Sequence, residues 1–293
     1  MKNNNMKIGC GMLNLKLNDK VKLNFINTKK RGLVPPLIFL GLLSIYFLFV
    51  AKGNFNDRYI NIQKDLFFVI NNKLSQYTSL QFNLTQLGDI LISFSILSIF
   101  SIYASKLWEA LITSALLTLL ISSTLKEIFT IPRPAVIFDN DSFTIIGRTH
   151  SGLASLPSGH SIATFSVITV LLYAFMPKKK NNKIFWVSFM IVIGLIISFS
   201  RVAVGAHFPL DVIIGSAIGF IVAFIGIKIS NQFNWLSRIE SKTKHLIYLA
   251  LFVICIGLII QKLFNTNLFI FYLSIFSLII TLCLNIIIHV KKN

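Results

Sequence analysis

Three short stretches hold the residues whose types and spacing could do chemistry. "KEIFTIPRP" sets Lys126 and Arg133 seven positions apart, "LPSGHS" sets Ser158, Gly159 and His160 in a row, and "SRVAVGAHFPLD" brings Arg201, His207 and Asp211 to one junction. A guanidinium pairs with phosphate oxygens through two parallel hydrogen bonds. Backbone N–H groups at the start of a helix attract an anion, and Gly lets it come close. Lys126, Arg133, Ser158, Gly159 and Arg201 therefore read as a phosphate cradle. Asp211 follows His207 by one helical turn, and a carboxylate accepting from Nδ1 leaves Nε2 unprotonated and nucleophilic. His160 has no carboxylate near it in sequence and is suited to protonating a leaving oxygen. The set fits a two-step phosphoryl displacement in which cations stabilise the group in transfer, with no metal and no cofactor required. Singly, each residue has a plainer account: an interfacial anchor for Lys126 or Arg133, an N-cap for Ser158, a structural pair for His207 and Asp211. The joint arrangement is what resists that account.

These residues have to be positioned by a chain that is 55% hydrophobic and 13% charged, with mean hydropathy +0.75. Such a composition describes an all-α polytopic membrane protein. Crossing about 30 Å of hydrocarbon takes about 20 apolar residues in a helix. Eight stretches approach that length: 34–51, 86–105, 107–129, 159–176, 184–203, 209–229, 245–262 and 267–289. Lys126 and Arg133, near two turns apart, are expected to project from one side of the third before Pro132 and Pro134 end it. The formal net charge of +18 would suggest nucleic acid as a partner, but its placement decides otherwise. Most basic residues fall in the leader before residue 34, at Lys106, in "PKKKNNK", at Lys228, Arg238, Lys242 and Lys244, and at Lys291 and Lys292. That is the asymmetry of an N-in, C-in protein of about eight spans, so the excess charge reports topology and no nucleic acid is expected. All three chemical stretches then lie at helix ends on the outer face, where membrane charges are read as functional or as snorkelling to the interface.

The remaining features carry less. Cys10, Cys255 and Cys283 form no disulfide or metal-ligand pattern, and no apolar stretch precedes Cys10 to mark a lipidation site. The segment from Asn54 to Gln86, with Ile60, Phe67, Phe68, Ile70 and Leu74 among polar residues, reads as an amphipathic stretch at the outer surface, with a solvated loop as the alternative. Asp139 to Asp141 lacks the Gly and distal Glu of a calcium loop and reads as a turn. Asp89 reads as interfacial, with a role near the cavity as the alternative. Arg148 and His150, in the loop between the first two chemical stretches, are solvated loop residues or contacts to a second phosphate or a sugar headgroup. Residues 1–33 form a basic leader, 34–229 a six-span core, and 230–293 a loop with two added spans read as packing against that core.

At the three stretches the sequence resembles the type 2 phosphatidic acid phosphatase superfamily, whose pattern is K-x6-R-P, P-S-G-H and S-R-x5-H-x3-D; every position is filled in order between Lys126 and Asp211. The resemblance implies a six-helix core, a phosphohistidine on His207 supported by Asp211, His160 as general acid, and Lys126, Arg133, Ser158, Gly159 and Arg201 around the phosphate. It also implies metal-independent hydrolysis of a membrane lipid phosphate or diphosphate at the outer face of the cytoplasmic membrane. Undecaprenyl diphosphate, lipid A phosphates, phosphatidylglycerol phosphate and phosphatidic acid are the substrates it suggests. The soluble vanadium haloperoxidases share this kind of site, but eight spans argue against that branch. Transfer of the phosphoryl group to an acceptor lipid is an alternative to hydrolysis. A transporter is disfavoured because the charges gather at one face and not at the midplane.

Overall fold

The computed structural model describes residues 17–50 and 53–290, all of it helices and connecting turns, with no strand among them. Residues 1–16 of the basic leader, Cys10 among them, lie outside the described residues. An opening helix, α1, covers residues 17–26. It is followed by α2 (Val34–Ile45), α3 (Phe55–Asn61), α4 (Lys64–Leu74), α5 (Thr78–Gln86), α6 (Ile90–Leu97), α7 (Phe100–Tyr103) and α8 (Ser105–Phe129). After the short α9 (Pro134–Ile137) come α10 (Gly159–Ala174), α11 (Lys180–Ala203), α12 (Pro209–Phe233), α13 (Trp235–Arg238), α14 (Ser241–Asn265) and α15 (Phe269–Val290).

Among the described residues, six helical stretches are long and apolar enough to cross a membrane: Lys30–Phe49, Ser105–Ile137, Lys180–Ala203, Pro209–Arg238, Ser241–Asn265 and Phe269–Ile288. Two of the eight expected stretches differ. Helix α10, at 16 residues, is shorter than those six. The expected span 86–105 is divided between α6 and α7, with four serines at 93, 95, 98 and 101 along it. Ser93 and Ser95 bond back to carbonyls one turn earlier, a habit that loosens a helix.

Helix α12 is the hub, packing on α10, α8, α11 and α2. Without water to drive helices together, close backbone approach through small residues does the work. A Cβ at Gly215 would fall 2.8 Å from the carbonyl oxygen of Ser158, so α12 touches the first turn of α10 backbone to backbone. The added helices α14 and α15 pair with each other and lie against α6, where Ser98 and Thr281 hydroxyls meet at 2.8 Å and the Ser277 hydroxyl donates to the Ile96 carbonyl at 2.9 Å. The stretch between the first two apolar segments is helical, not a loop: Ile60 and Phe67 are buried, and α4 and α5 pack on α11. Phe67 sits edge-on to Phe208, the residue next to His207.

Lys106, counted from sequence among the basic residues on the inner side, is not simply a solvated charge. It is 5% exposed and donates to Glu109 Oε2 at 3.1 Å, to Asn234 Oδ1 at 2.7 Å and to the Ser230 carbonyl. Asp139 to Asp141 form the expected turn, with the Asp139 carboxylate accepting from the Asp141 amide.

Candidate active site

Helix α8 stops at Phe129 because Thr130 turns left-handed (φ 47°), its amide still donating to the Lys126 carbonyl. Lys126 therefore occupies the last turn, but Arg133 does not continue the helix. It is extended and caps the start of α9, which corrects the expectation that both project from one helix. Arg133 reaches the site another way. Its amide donates to the Gly152 carbonyl at 3.1 Å, the Ser155 amide donates to the Ile131 carbonyl at 2.9 Å, and its guanidinium Nη1 donates to the Ala206 carbonyl at 3.2 Å. A strand-like pairing of 131–133 with 152–155 thus carries Arg133 to the turn that holds His207.

The same pairing delivers α10. Ser158 is fully buried and caps the helix, its Oγ accepting from the Ser161 amide at 3.4 Å and the Ser161 hydroxyl at 2.9 Å. Its own hydroxyl proton is left to donate elsewhere. The cap and phosphate readings of Ser158 are therefore compatible. The Ser158 amide donates to the Asp211 carbonyl at 3.1 Å, tying the start of α10 directly to the start of α12. A Cβ at Gly159 would lie 3.3 Å from Lys126 Nζ, so the missing side chain is what lets the ammonium close on the helix end. His160 packs against Gly88, in the turn between α5 and α6.

His207 is 1% exposed, and its Nδ1 lies 3.4 Å from Asp211 Oδ2. That is a charge contact that does not meet hydrogen-bond geometry, so Nδ1 has no hydrogen-bond partner here. The carboxylate itself is fixed from three directions: the Tyr59 hydroxyl donates to Oδ1 at 2.7 Å, the Ser155 hydroxyl to Oδ2 at 2.6 Å and the Phe208 amide to Oδ2 at 2.8 Å. Gln63 braces the arrangement, donating to the Tyr59 carbonyl and accepting from the Leu210 amide, both at 2.8 Å. Burial, with Arg133, Arg201, Lys126 and His160 adding to it in that order, pushes the His207 imidazole well below its usual pKa of about 6.5. Burial beside Asp211 raises the Tyr59 phenol well above its usual value, so it remains a donor.

Arg201 is 5% exposed; its Nη1 donates to the Thr85 hydroxyl at 2.7 Å, while its Nε has no partner. Arg148 and His150 share a cavity with it. His150 is held at about 4 by burial and by Arg201, Arg133, Arg148 and Lys126, which makes it neutral near pH 7. Asp89 caps α6 through the Leu91 amide at 2.9 Å and pairs with Lys262 Nζ at 2.6 Å.

The structure thus brings Lys126, Arg133, Ser158, Gly159, His160, Arg201, His207 and Asp211 together at one end of the helical bundle. Sequence reasoning missed Tyr59, Gln63, Thr85, Ser155 and Lys262. Tyr59 and Gln63 lie on an amphipathic stretch whose polar residues looked like a solvated face. Ser155 is one of several serines in its loop. Nothing local distinguishes any of them.

The fold and the site together define an all-helical membrane protein whose polar chemistry surrounds one buried histidine and a ring of cations. Residues 106–235 match the model of the PAP2 superfamily. It is 27% identical to an undecaprenyl-diphosphatase of Sulfolobus acidocaldarius over 212 residues, which span 71% of this chain and 95% of that one. It is 31% identical to undecaprenyl-diphosphatase BcrC of Bacillus subtilis over 100 residues, 34% of this chain and 46% of that one. The crystal structure of Aquifex aeolicus LpxE is similar over 57% of this chain and 95% of its own, at 27% identity and a TM-score of 0.47.

Proposed function

We propose that the protein is a phosphatase of membrane lipid phosphates, acting on a diphosphate of the undecaprenyl type at the outer face of the cytoplasmic membrane through a phosphohistidine. One observation carries this reading: a buried, neutral His207 against a carboxylate fixed by three hydrogen bonds, ringed by Lys126, Arg133 and Arg201. A neutral imidazole keeps its lone pair at neutral pH, and fixed cations stabilise the phosphoryl group as charge spreads over its oxygens. His207 Nε2 bonds to phosphorus as the leaving oxygen departs, and water then cleaves the phosphorus–nitrogen bond. Asp211 supports the imidazolium form of the intermediate, and His160 protonates a leaving oxygen that needs it. Two relatives named as undecaprenyl-diphosphatases favour the diphosphate among the lipid substrates considered. Catalysis is assigned to the core, residues 34–229.

The test uses detergent-purified protein with undecaprenyl diphosphate, lipid A, phosphatidylglycerol phosphate and phosphatidic acid, measuring released phosphate with and without chelator. Undecaprenyl diphosphate is expected to be turned over, chelator to leave the rate intact, and His207→Ala to lower it on the order of 10³-fold or more. Robust turnover by that variant would remove His207 from the nucleophile's role. Label appearing in an acceptor lipid with little free phosphate would replace hydrolysis by transfer.

A further inference from the structure

A cavity of about 210 Å³ adjoins the candidate active site, and its walls include Thr85, Arg148, His150, Arg201 and Lys262. Of the motif residues only Arg201 lines it; His207, His160, Lys126 and Arg133 do not. Arg201 is therefore shared between the catalytic cradle and a second polar space. Its Nη1 is spent on Thr85, while its Nε is buried with no partner. A buried donor without an acceptor is costly, and an anion in this cavity is the kind of group that would satisfy it.

The charge on the walls points the same way. Arg148, Arg201 and Lys262 are cationic, and His150, held at about 4, is neutral and able to donate a hydrogen bond. The nearby carboxylate is Asp89, bonded to Lys262 at 2.6 Å. That pair is partly exposed, with side chains 36% and 26% accessible, so it contributes little to stability. What it does is position. Asp89 caps α6 and follows Gly88, whose backbone packs on His160, so the pair holds an ammonium from α14 on the His160 side of the site. Lys262 lies outside residues 106–235, on the helix pair read from sequence as a packing addition.

We infer that Lys262, with Arg148 and His150, forms a second anion subsite that holds the lipid-proximal phosphate of a diphosphate substrate. The inference rests on the phosphatase reading and deepens it by assigning residues to the second phosphate of the diphosphate. Two phosphates joined through one oxygen must occupy adjoining sites, and Arg201, common to both spaces, is the bridge between them. In the reaction His207 Nε2 bonds to the terminal phosphorus, and the bond from that phosphorus to the bridging oxygen breaks. The electron pair stays on that oxygen. The lipid monophosphate leaves with the added negative charge, beside Arg201 and Lys262. Water then attacks the phosphohistidine, its oxygen bonding to phosphorus while the N–P pair returns to Nε2; inorganic phosphate is released and the spare proton passes to solvent. A charge that appears only as the bond breaks is what fixed cations stabilise best.

The experiment is calorimetric titration of the full-length protein in detergent with methylenediphosphonate, two phosphonates joined by a carbon, and with orthophosphate. Wild type is expected to bind the diphosphonate more tightly. Lys262→Met and Arg148→Gln are each expected to shrink that advantage about tenfold or more, and Lys262→Arg to restore most of it. An advantage within about threefold of wild type in both neutral variants, or none in wild type, overturns the subsite. Arg148 is on an exposed loop, so its variant decides the matter if Lys262→Met does not fold. Binding is read without turnover. A protein that shows the selectivity but hydrolyses no lipid phosphate would refute the phosphatase reading and leave the subsite; one that hydrolyses lipid diphosphate without the selectivity would do the reverse.

Discussion

In the proposed mechanism His207 acts only while its imidazole is neutral, and the folded protein enforces that state. Burial and four neighbouring cationic or imidazole groups hold its pKa well below about 6.5, so the free enzyme's activity should persist as pH falls through the ordinary histidine range. Arg133 is the largest charge contribution after burial. Removing it makes the imidazolium less costly and raises the pKa, so Arg133→Gln should move the acid limb of the kcat/KM profile to higher pH, beyond lowering its plateau. A limb that stays put or moves down would contradict the electrostatic account. The stability linkage has the same sign. The unfolded chain binds a proton near pH 6.5 that the folded chain refuses, so this contribution is full above that pH and is lost as pH falls toward the folded value. Thermal unfolding of His207→Gln should accordingly depend less on pH between 7 and 5 than that of wild type. Tyr59 offers a second test, because its hydroxyl is one of three donors that fix Asp211. Tyr59→Phe should lower kcat/KM about 10- to 100-fold, the worth of a hydrogen bond to a charged group, and leave the ring packing with Phe47 and Phe55 in place. Lys126, His160, Arg201, His207 and Asp211 could be found in the sequence because charges at the ends of apolar helices are expensive and so conspicuous. Tyr59 and Ser155 could not, since a tyrosine or serine carries no such cost until the fold buries it.

Helix ends, more than helix bodies, decide whether the site forms. Apolar runs mark the bodies well, and α11 and α12 begin and end near the expected limits. The ends depend on individual residues. Thr130 adopts a left-handed turn that stops α8 three residues before Arg133, although prolines alone had been expected to end it. Serines divide the stretch between Ile90 and Tyr103 into two short helices, which hydropathy averages away. The contact that matters most joins two ends, where the Ser158 amide meets the Asp211 carbonyl and Gly215 lets α12 approach. Gly215→Val places branched carbons where a Cβ would already be 2.8 Å from the Ser158 carbonyl oxygen. The start of α10 must then shift away from His207, and a displacement of that order is expected to cost about 10- to 100-fold in kcat. Gly41, on exposed α2 with nothing within 4 Å of a Cβ, serves as the control, and Gly41→Val should stay within about twofold of wild type. Equal activity in the two variants would show that the close approach of α10 and α12 does not set the site.

Across the whole molecule, charge and chemistry separate to opposite ends of the helices. Arg201 lies at one end of α11 and Lys180 at the other, about 32 Å apart along the axis. Lys178, Lys179 and Lys180 are exposed, whereas Arg201 is buried against Thr85. The first group is an exposed lysine cluster and the second a buried guanidinium, a division that hydropathy and charge counting could see because it extends over the length of a span. Those same counts could not see that the added helices α14 and α15 reach the site, because one lysine on an apolar helix looks like any other snorkelling charge. The orientation can be tested with impermeant thiol labelling in a background where Cys10, Cys255 and Cys283 are replaced. Ser151 lies on the exposed loop beside the site, and Asn181 is exposed at the far end of α11. Ser151→Cys should label in intact cells, and Asn181→Cys only once the membrane is permeabilised. The reverse pattern would put the histidines on the cytoplasmic side. The positive-inside bias makes that outcome hard to reach, since it would require the lysine-rich loop to cross the membrane while the site stayed behind.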